Sequence, residues 1–292
     1  MSSGTEFGYL IAAVCFILAL KGLSAPKTAR YGNWAGAAGA LLAVILVLST
    51  GHLQHIGLIL GAVAVGTVIG VPAATRVKMT AMPQLVAIFN GVGGGAAAIV
   101  ALVEFLRLAG NSSSISSGDQ TATVFTVLVG AVSFAGSMIT FAKLQELMTT
   151  RPVILPAGRY LSVGVFVAAI ALAVTSVPVR STGLLVALFI VALGLGVLFV
   201  LPVGGADVPI VISLLNAFTG LTVAASGYVL GNTLLIVAGT LVGASGTILT
   251  RLMAAAMGRP LTGILFGAFK AKAGGPAGPT ETRPVRSGTP ED

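Results

Sequence analysis

The stretch IFNGVGGGAAAIV (residues 88–100) lies inside a long apolar run and carries one amide and four glycines. The amide is Asn90, and the glycines are Gly91 and Gly93 to Gly95. An uncovered side-chain amide is costly in hydrocarbon, and glycine is the weakest helix former after proline. A helix that only faced lipid would carry neither feature, so this stretch predicts a helix that packs against other helices.

The composition of the whole chain is that of a membrane protein. Of its 292 residues, 56% are hydrophobic and 8% are charged, and the mean hydropathy is +1.03. Aromatic residues make up only 6% while glycine occurs 39 times, which favours closely packed helices over a barrel with aromatic girdles. We therefore predict an all-α membrane protein, a polytopic helical bundle. Cys15 is the single cysteine, so no disulfide framework is possible.

Nine runs are long enough to cross a membrane, which takes about 20 mostly apolar residues. The division between the last two runs rests on the pair Gly231 and Asn232. The nine runs cover roughly residues 6–23, 34–50, 56–74, 83–108, 121–143, 160–177, 183–201, 209–230 and 233–254.

The basic residues predict the orientation of the bundle. The net charge of +8 is spread over loops between apolar runs, which reports membrane orientation rather than nucleic-acid binding. If the N-terminus is outside, only Arg107 and Arg180 among the 16 basic residues fall on the outer side. Lys143 then counts among the inner-loop charges. The prediction is a multi-pass membrane protein with the N-terminus outside and the C-terminus in the cytoplasm.

The composition changes after residue 271 to a segment rich in Gly, Pro and charge, which cannot bury a core. We predict a transmembrane domain over residues 1–270 and a linker over residues 271–292. The first run lacks a preceding basic residue and a small-residue cleavage site, so we interpret it as a retained helix.

Charged and metal-ligating residues are scarce inside the predicted spans. Glu104 and Arg107 lie three residues apart on one helical face, and we expect them to pair at the outer end of the fourth span. The only histidines, His52 and His55, lie in a short outer loop. Two histidines do not complete a zinc site, so no metal site is predicted.

The interior offers uncharged hydrogen-bonding groups instead. Such groups commonly hold membrane helices together, with bonds of about 1 kcal/mol, and they can also order water. Both interpretations stay open for Asn90 and Asn216, because an amide has four hydrogen-bonding sites. The groups are Asn90 in the fourth span, Ser133, Ser137 and Thr140 in the fifth, Ser213, Asn216, Thr219, Thr222 and Ser226 in the eighth, and Thr240, Ser245, Thr247 and Thr250 in the ninth.

Glycine pairs at i and i+4 predict close helix contacts, because they let backbones approach. In the fourth span such a contact would bring Asn90 near the polar stripe of a neighbouring helix. Glycines also lower the cost of local bending, so packing and gating both remain open. The pairs are Gly57 with Gly61, Gly66 with Gly70, Gly91 with Gly95, and Gly239 with Gly243.

Several long segments, in order, resemble the beta subunit of proton-translocating NAD(P) transhydrogenase, from about residue 6 to residue 270. The short stretch APKTARYGN (25–33) fits the same family. The long segments are MPQLVAIFNGVGGGAAAIVALVEF (82–105), GAVSFAGSMITFAKLQ (130–145), GGADVPIVISLLNAFTGLTVAASGYVL (204–230) and LIVAGTLVGASGTILTRLMAAAMGRP (235–260).

The resemblance implies a function that composition does not show. Members of this family transfer a hydride between NADH and NADP in soluble domains and couple it to proton passage through a membrane domain. No GxGxxG follows a strand in this chain, so we expect no cofactor site in it, with NAD and NADP bound elsewhere in the full enzyme. The implied partners are the alpha subunit, an NADP-binding domain, the lipid bilayer and a second protomer, with no nucleic acid.

The resemblance also implies site residues on the proton path. Asn90 stands where some family members have a histidine implicated in proton transfer, so a titrating imidazole would have to come from the alpha subunit. Asn90 would then orient that imidazole or its water. Ser137 and Asn216 match further polar positions attributed to the channel, and Thr219 is a plausible neighbour of both.

A second group matches positions linked to coupling with the NADP domain: Asp207, Gly246 and Arg259. Asp207 and Arg259 are opposite charges on neighbouring inner loops, so they either pair with each other or exchange for partners on a docked domain.

Two other functions are alternatives to this one. A secondary transporter of a small solute would place discontinuous helices around a midplane site, usually in two corresponding halves. Nine spans do not divide evenly, and no segment repeats. A purely structural scaffold is the third interpretation, and the interior polar stripe argues weakly against it.

Overall fold

The computed structural model describes residues 3–50, 55–110, 116–260 and 263. Within these ranges it contains nine helices that are long and apolar enough to cross a membrane, which confirms the predicted polytopic bundle. The helices are α1 (Ser3–Leu23), α2 (Ala29–Thr50), α3 (Ile56–Arg76), α4 (Met82–Gly110), α5 (Ser117–Leu144), α6 (Gly158–Val179), α7 (Thr182–Val200), α8 (Val208–Val229) and α9 (Thr233–Ala256).

The helix ends follow local signals in the sequence. Between α8 and α9, Gly231 takes the left-handed φ of +61°, which glycine adopts without a steric penalty. Asn232 then caps α9, because its side chain accepts a hydrogen bond from Leu235 N at 3.1 Å. Ser116 caps α5 in the same way through Asp119 N, at 3.0 Å. The predicted break at residues 231–232 is confirmed.

The core of the bundle is built around α5. This helix packs against α4, α6, α7 and α8, while α9 packs along α8. Apolar clusters fill the spaces on both halves of α5, for example around Val127 and Leu188 in one half and around Val200 and Leu215 in the other. Helices α1 and α2 pack on each other, and Tyr9 and Ala12 of α1 join Leu234 at the start of α9.

Glycines produce the close contact between α8 and α9. A Cβ added at Gly239 would meet the backbone of Ala224, and one added at Gly220 would meet the backbone of Gly243. Any side chain larger than hydrogen would therefore push the two backbones apart. The predicted close approach at Gly239 and Gly243 is confirmed.

No such contact forms at the glycine pairs of α3 among the described residues, so the prediction stays untested there. A Cβ added at Gly57, Gly61, Gly66 or Gly70 would meet no other atom within 4 Å. No residue of α3 is buried among the described residues. The physical reason is that glycine permits a close contact but does not create one, since the attraction must come from a facing helix.

Of two predictions about charged residues at the helix ends, the structure confirms one and contradicts the other. Glu104 and Arg107 pair at 3.6 Å, as predicted. Lys143, predicted as a loop charge, is instead 1% exposed inside the bundle. We call the end of the bundle that carries Arg76, Lys143 and Arg259 the basic face. The predicted linker over residues 271–292 lies outside the described residues.

Candidate functional site

Four uncharged polar side chains meet where α4, α5 and α8 pack together. They are Asn90 of α4, Ser133 and Ser137 of α5, and Thr219 of α8, with exposures of 8%, 0%, 1% and 9%. We call these four residues the polar seam. Thr219 lies at the middle of α8, about 16 Å from either end at 1.5 Å per residue. The polar seam therefore lies deep within the span.

Hydrogen bonds connect all members of the polar seam. Asn90 Nδ2 donates to Ser137 Oγ at 2.9 Å and to Ser133 Oγ at 3.3 Å. Ser133 Oγ lies 2.6 Å from Thr219 Oγ1 and donates to the Leu215 carbonyl oxygen at 3.0 Å. Because a hydroxyl has one proton, Ser133 must accept from Thr219 if it donates to Leu215. The polar seam is thus a directed network across three helices.

The glycines of GVGGG explain how α4 approaches α5 closely enough for these bonds. A Cβ at Gly94 would lie 3.1 Å from the Ser133 Cβ, and a Cβ at Gly91 would lie 3.0 Å from the Ser137 Cβ. Both distances are tighter than ordinary van der Waals contact. The glycines therefore leave room for the two serines, and Asn90 reaches their hydroxyl groups.

One atom of the polar seam has no partner in this part of the chain. Asn90 Oδ1 is buried, and no hydrogen bond reaches it from any described residue. Leaving a buried acceptor unpaired costs about 1–3 kcal/mol. This carbonyl oxygen is available to a donor from outside the described residues.

Asn216 lies beside the polar seam but is not bonded to it. It is half-buried, and no hydrogen bond joins it to another described residue. Its neighbour Ser213 donates to the Gly246 carbonyl oxygen of α9 at 3.1 Å, while Thr219 faces α4 and α5. At 100° per residue Asn216 points about 60° away from each of them, between those two directions. The structure therefore joins Asn90, Ser137 and Thr219 and leaves Asn216 at their edge.

The predicted coupling residues lie together on the α8–α9 side of the bundle. Arg259 Nε is 3.1 Å from Asp207 Oδ1, with side-chain exposures of 54% and 24%. Asp207 ends the 3-10 turn Gly205–Asp207 that leads into α8, and Arg259 follows α9. Gly246 packs against Ala217 of α8, where an added Cβ would lie 2.9 Å from the Ala217 nitrogen. The ion pair and the glycine contact thus connect the same two helices.

Several buried polar residues were not predicted from the sequence, and Lys143 and Gln120 are the largest of them. Gln120 of α5 is 0% exposed and donates through Nε2 to the Ser176 carbonyl oxygen at 3.0 Å. Lys143 donates through Nζ to the carbonyl oxygens of Leu201 and Val203, each at 2.6 Å. A usable signal existed for Lys143, because it follows Thr140 by three residues on the Ser/Thr stripe of α5. Its charge favoured the loop interpretation instead.

The polar seam can pass hydrogen bonds from group to group, but it cannot hold a proton. Amide and hydroxyl groups reorient hydrogen bonds and position water, but none of the four titrates near neutral pH. No group of three or more His, Cys, Asp and Glu residues suited to a metal occurs in the described part of the chain. Proton transfer through the polar seam therefore requires a titrating group or a water chain beside it.

Comparison with known proteins agrees with the sequence resemblance. A profile of the NAD(P) transhydrogenase beta subunit family matches residues 5–292. Two curated relatives, both named NAD(P) transhydrogenase subunit beta and both from Rhodospirillum rubrum, are 40% identical over 297 residues, which covers 99% of this chain. The chain spans 63% of the length of these relatives. With its apolar helices and this match along nearly its whole length, the chain is a multi-pass membrane protein that belongs to the NAD(P) transhydrogenase beta subunit family.

Proposed function

We propose that this chain is the membrane domain of a proton-translocating NAD(P) transhydrogenase. In this proposal it conducts protons across the membrane, coupled to hydride transfer from NADH to NADP in soluble domains outside this chain. Membership of the family supports the enzyme, and the polar seam supports the proton path. The observation that carries the proposal is Asn90 Oδ1, a buried acceptor in mid-span without a partner among the described residues.

The polar seam holds the Asn90 amide in one orientation. Its two N–H bonds point to Ser137 and Ser133, which leaves the carbonyl oxygen facing away from α5. We propose that this oxygen accepts an N–H or O–H bond from an imidazole of the alpha subunit or from its water. The imidazole takes up a proton from one side of the membrane and releases it to the other. Asn90 orients the exchange and carries no charge.

Asn216 extends this path on the side of α8 that faces neither α5 nor α9. It is half-buried, and its amide has no partner within the described residues. We propose that it lines the same path and hydrogen-bonds water or a side chain of the partner subunit.

Coupling requires two arrangements of the bundle, each favoured by one nucleotide state of the NADP domain. We propose that Asp207 and Arg259 exchange their mutual bond for contacts with that domain. A shift of α8 against α9 at Gly246 would then reach Thr219, because Thr219 and Ala217 belong to the same helix. NAD and NADP bind outside this chain in this proposal, and residues 271–292 link it to the NADP-binding domain.

The proposed setting is the bacterial cytoplasmic membrane, with the N-terminus outside and the basic face in the cytoplasm. The proposed assembly is a dimer of protomers, each with an alpha subunit. Orientation is measured by replacing Cys15 with Ala and placing a single Cys at Thr149 in the loop after α5. Labelling of that Cys only after the membrane is permeabilised is the expected result, and labelling in intact cells would reverse the orientation.

The test of the proton path uses the complete enzyme in vesicles. We expect Asn90→Leu and Asn216→Leu to lower the rate of proton movement driven by hydride transfer by about tenfold or more, because each removes a positioned hydrogen-bonding group. Val92→Leu is the matched control, since Val92 is an exposed neighbour on α4. Normal coupled pumping in both Asn variants would end this version of the path.

A further inference from the structure

Lys143 is a buried cation at the basic face, in the last turn of α5. It is 1% exposed, and its Nζ donates to the carbonyl oxygens of Leu201 and Val203 at 2.6 Å each. A lysine at the end of a membrane helix ordinarily extends its ammonium group into water. Lys143 instead points into the bundle, although burying an ammonium group carries a desolvation penalty of several kcal/mol.

The two acceptors of Lys143 belong to one short connection. Leu201 directly follows α7, so its carbonyl oxygen lies at the negative end of the α7 dipole, where a cation is favoured. Val203 lies two residues further on, just before the 3-10 turn Gly205–Asp207. The ammonium group therefore holds the segment that joins α7 to Asp207. We call Lys143, Leu201 and Val203 the lysine clamp.

The loop between α5 and α6 binds the same connection. Val153 N donates to the Leu201 carbonyl oxygen at 3.0 Å, so that oxygen accepts from both Val153 and Lys143. Gly205 N donates to the Thr150 carbonyl oxygen at 2.9 Å. The end of α5, the loop after it and the connection before α8 thus form one hydrogen-bonded unit. Asp207, which pairs with Arg259, lies at the edge of this unit.

Helix α5 connects the lysine clamp to the polar seam. Lys143 and Ser137 belong to the same helix, about 9 Å apart along its axis at 1.5 Å per residue. Apolar side chains including Val200, Val203 and Val208 pack tightly between α5, α7 and α8 at this end. A packed helix transmits a displacement over such a distance rather than absorbing it.

We propose that Lys143 is a positioning residue that couples the Asp207–Arg259 pair to the polar seam through α5. The inference rests on the proposed function and adds a residue to it. When the connection after α7 moves, the clamp moves the end of α5, and Ser137 and Ser133 shift against Asn90. The ammonium group makes this link because its two charge-assisted bonds join the end of α5 directly to the connection before α8, beside the backbone bonds from the loop after α5.

The first measurement is the number of protons moved per hydride transferred by the complete enzyme in vesicles. Lys143→Met keeps the length of the side chain and removes the charge, and we expect it to lower this ratio about fivefold. The ratio does not depend on how much enzyme is folded, so a loss of stability alone leaves it unchanged. Lys143→Arg, which keeps charge and donors, should restore part of it. Lys27→Met is the control, because Lys27 is an exposed lysine in the loop after α1.

The second measurement is amide hydrogen exchange at residues 201–207. Without the clamp these amides should exchange about tenfold faster, because local opening becomes easier, while Lys27→Met should leave them unchanged. If Lys143→Met does not assemble, Lys143→Gln replaces it under the same criteria. An unchanged ratio together with unchanged exchange would overturn the inference. Wild-type enzyme that transfers hydride without moving protons would instead refute the proposed function, and faster exchange in Lys143→Met would still establish the clamp.

Discussion

Ser133 is the residue on which the hydrogen bonds of the polar seam converge. Its hydroxyl contacts Asn90, Thr219 and the Leu215 carbonyl oxygen, and the side chain is 0% exposed. Because it has one proton and two lone pairs, these three contacts use its full hydrogen-bonding capacity. Ser133 therefore determines the direction of the bonds around it.

Removing this hydroxyl should be costly. We expect Ser133→Ala to lower the free energy of unfolding by about 1–2 kcal/mol, because it leaves one Asn90 N–H without its partner and leaves the Thr219 hydroxyl only a long contact, at 3.5 Å, with the Asn90 backbone carbonyl oxygen. The measurement is denaturant unfolding of the chain in detergent micelles. Ser245→Ala is the control, since within the described residues the Ser245 hydroxyl bonds to the Val242 carbonyl oxygen of its own helix and to no other group. Equal losses in both variants would contradict the central position of Ser133.

The Asp207–Arg259 pair presents the opposite case, with a small expected effect on stability. Its side chains are 24% and 54% exposed, and pairs in contact with solvent contribute about 0–1 kcal/mol. We expect Asp207→Asn to leave the free energy of unfolding nearly unchanged and to lower the protons moved per hydride in the complete enzyme. Glu104→Gln is the control, because it breaks a separate ion pair, Glu104–Arg107, at the opposite end of the bundle. Equal effects of both variants on the ratio would argue against a coupling role.

At the scale of helices, the α8–α9 contact depends on missing side chains. Gly220, Gly239 and Gly243 put backbone against backbone, so dispersion contacts are dense and there is no room for a methyl group. The same helix α8 carries Thr219 into the polar seam. We therefore expect a change in the α8–α9 spacing to displace Thr219 as well.

A pair of matched alanine substitutions tests this contact. Gly239→Ala should lower the thermal unfolding temperature, because its methyl group would collide with the Ala224 backbone. Gly164→Ala on α6 meets no atom within 4 Å, so it should leave the unfolding temperature unchanged or raise it, through a gain of up to about 1 kcal/mol in helix propensity. The measurement is thermal unfolding in detergent. A gain in stability for both variants would show that the two helices are not tightly packed at Gly239.

At the scale of the whole molecule, the helices are unequally covered. Helices α4, α5, α7 and α8 surround the polar seam and the apolar clusters, whereas α3 has no buried residue among those described. Among the described residues, no atom therefore packs against the glycine pairs of α3. In the proposed complex, we expect the alpha subunit to supply helices to this side of the bundle.

This arrangement predicts a difference between the isolated chain and the complex. Gly61→Leu should leave the thermal unfolding temperature of the isolated chain unchanged or raise it, because nothing lies within 4 Å of the added Cβ and leucine is the better helix former. In the complete enzyme it should reduce the amount of alpha subunit that copurifies, since a bulky side chain blocks close helix packing. Val63→Leu on the same helix is the control, at a residue that is already large and 57% exposed. Full assembly of the Gly61 variant would place the alpha subunit elsewhere.

Much of the fold could be predicted from the sequence. A span in lipid must satisfy its backbone hydrogen bonds internally, so long apolar runs become helices almost regardless of context. For this reason the nine predicted runs and the nine described helices agree to within a few residues at most ends. The break at Gly231 and the glycine contact at Gly239 were readable for the same local reasons.

Only the tertiary structure decided which polar groups meet. Asn90 and Asn216 carry the same side chain in similar runs, yet one is bonded to two serines and the other has no partner within the described chain. Lys143 was predicted as an inner-loop charge and is buried against two carbonyl groups. Helical period gives the face that a residue occupies, but the helix opposite that face depends on packing between distant segments. That packing is why the sequence determined the spans of this protein, and the three-dimensional structure determined its polar seam.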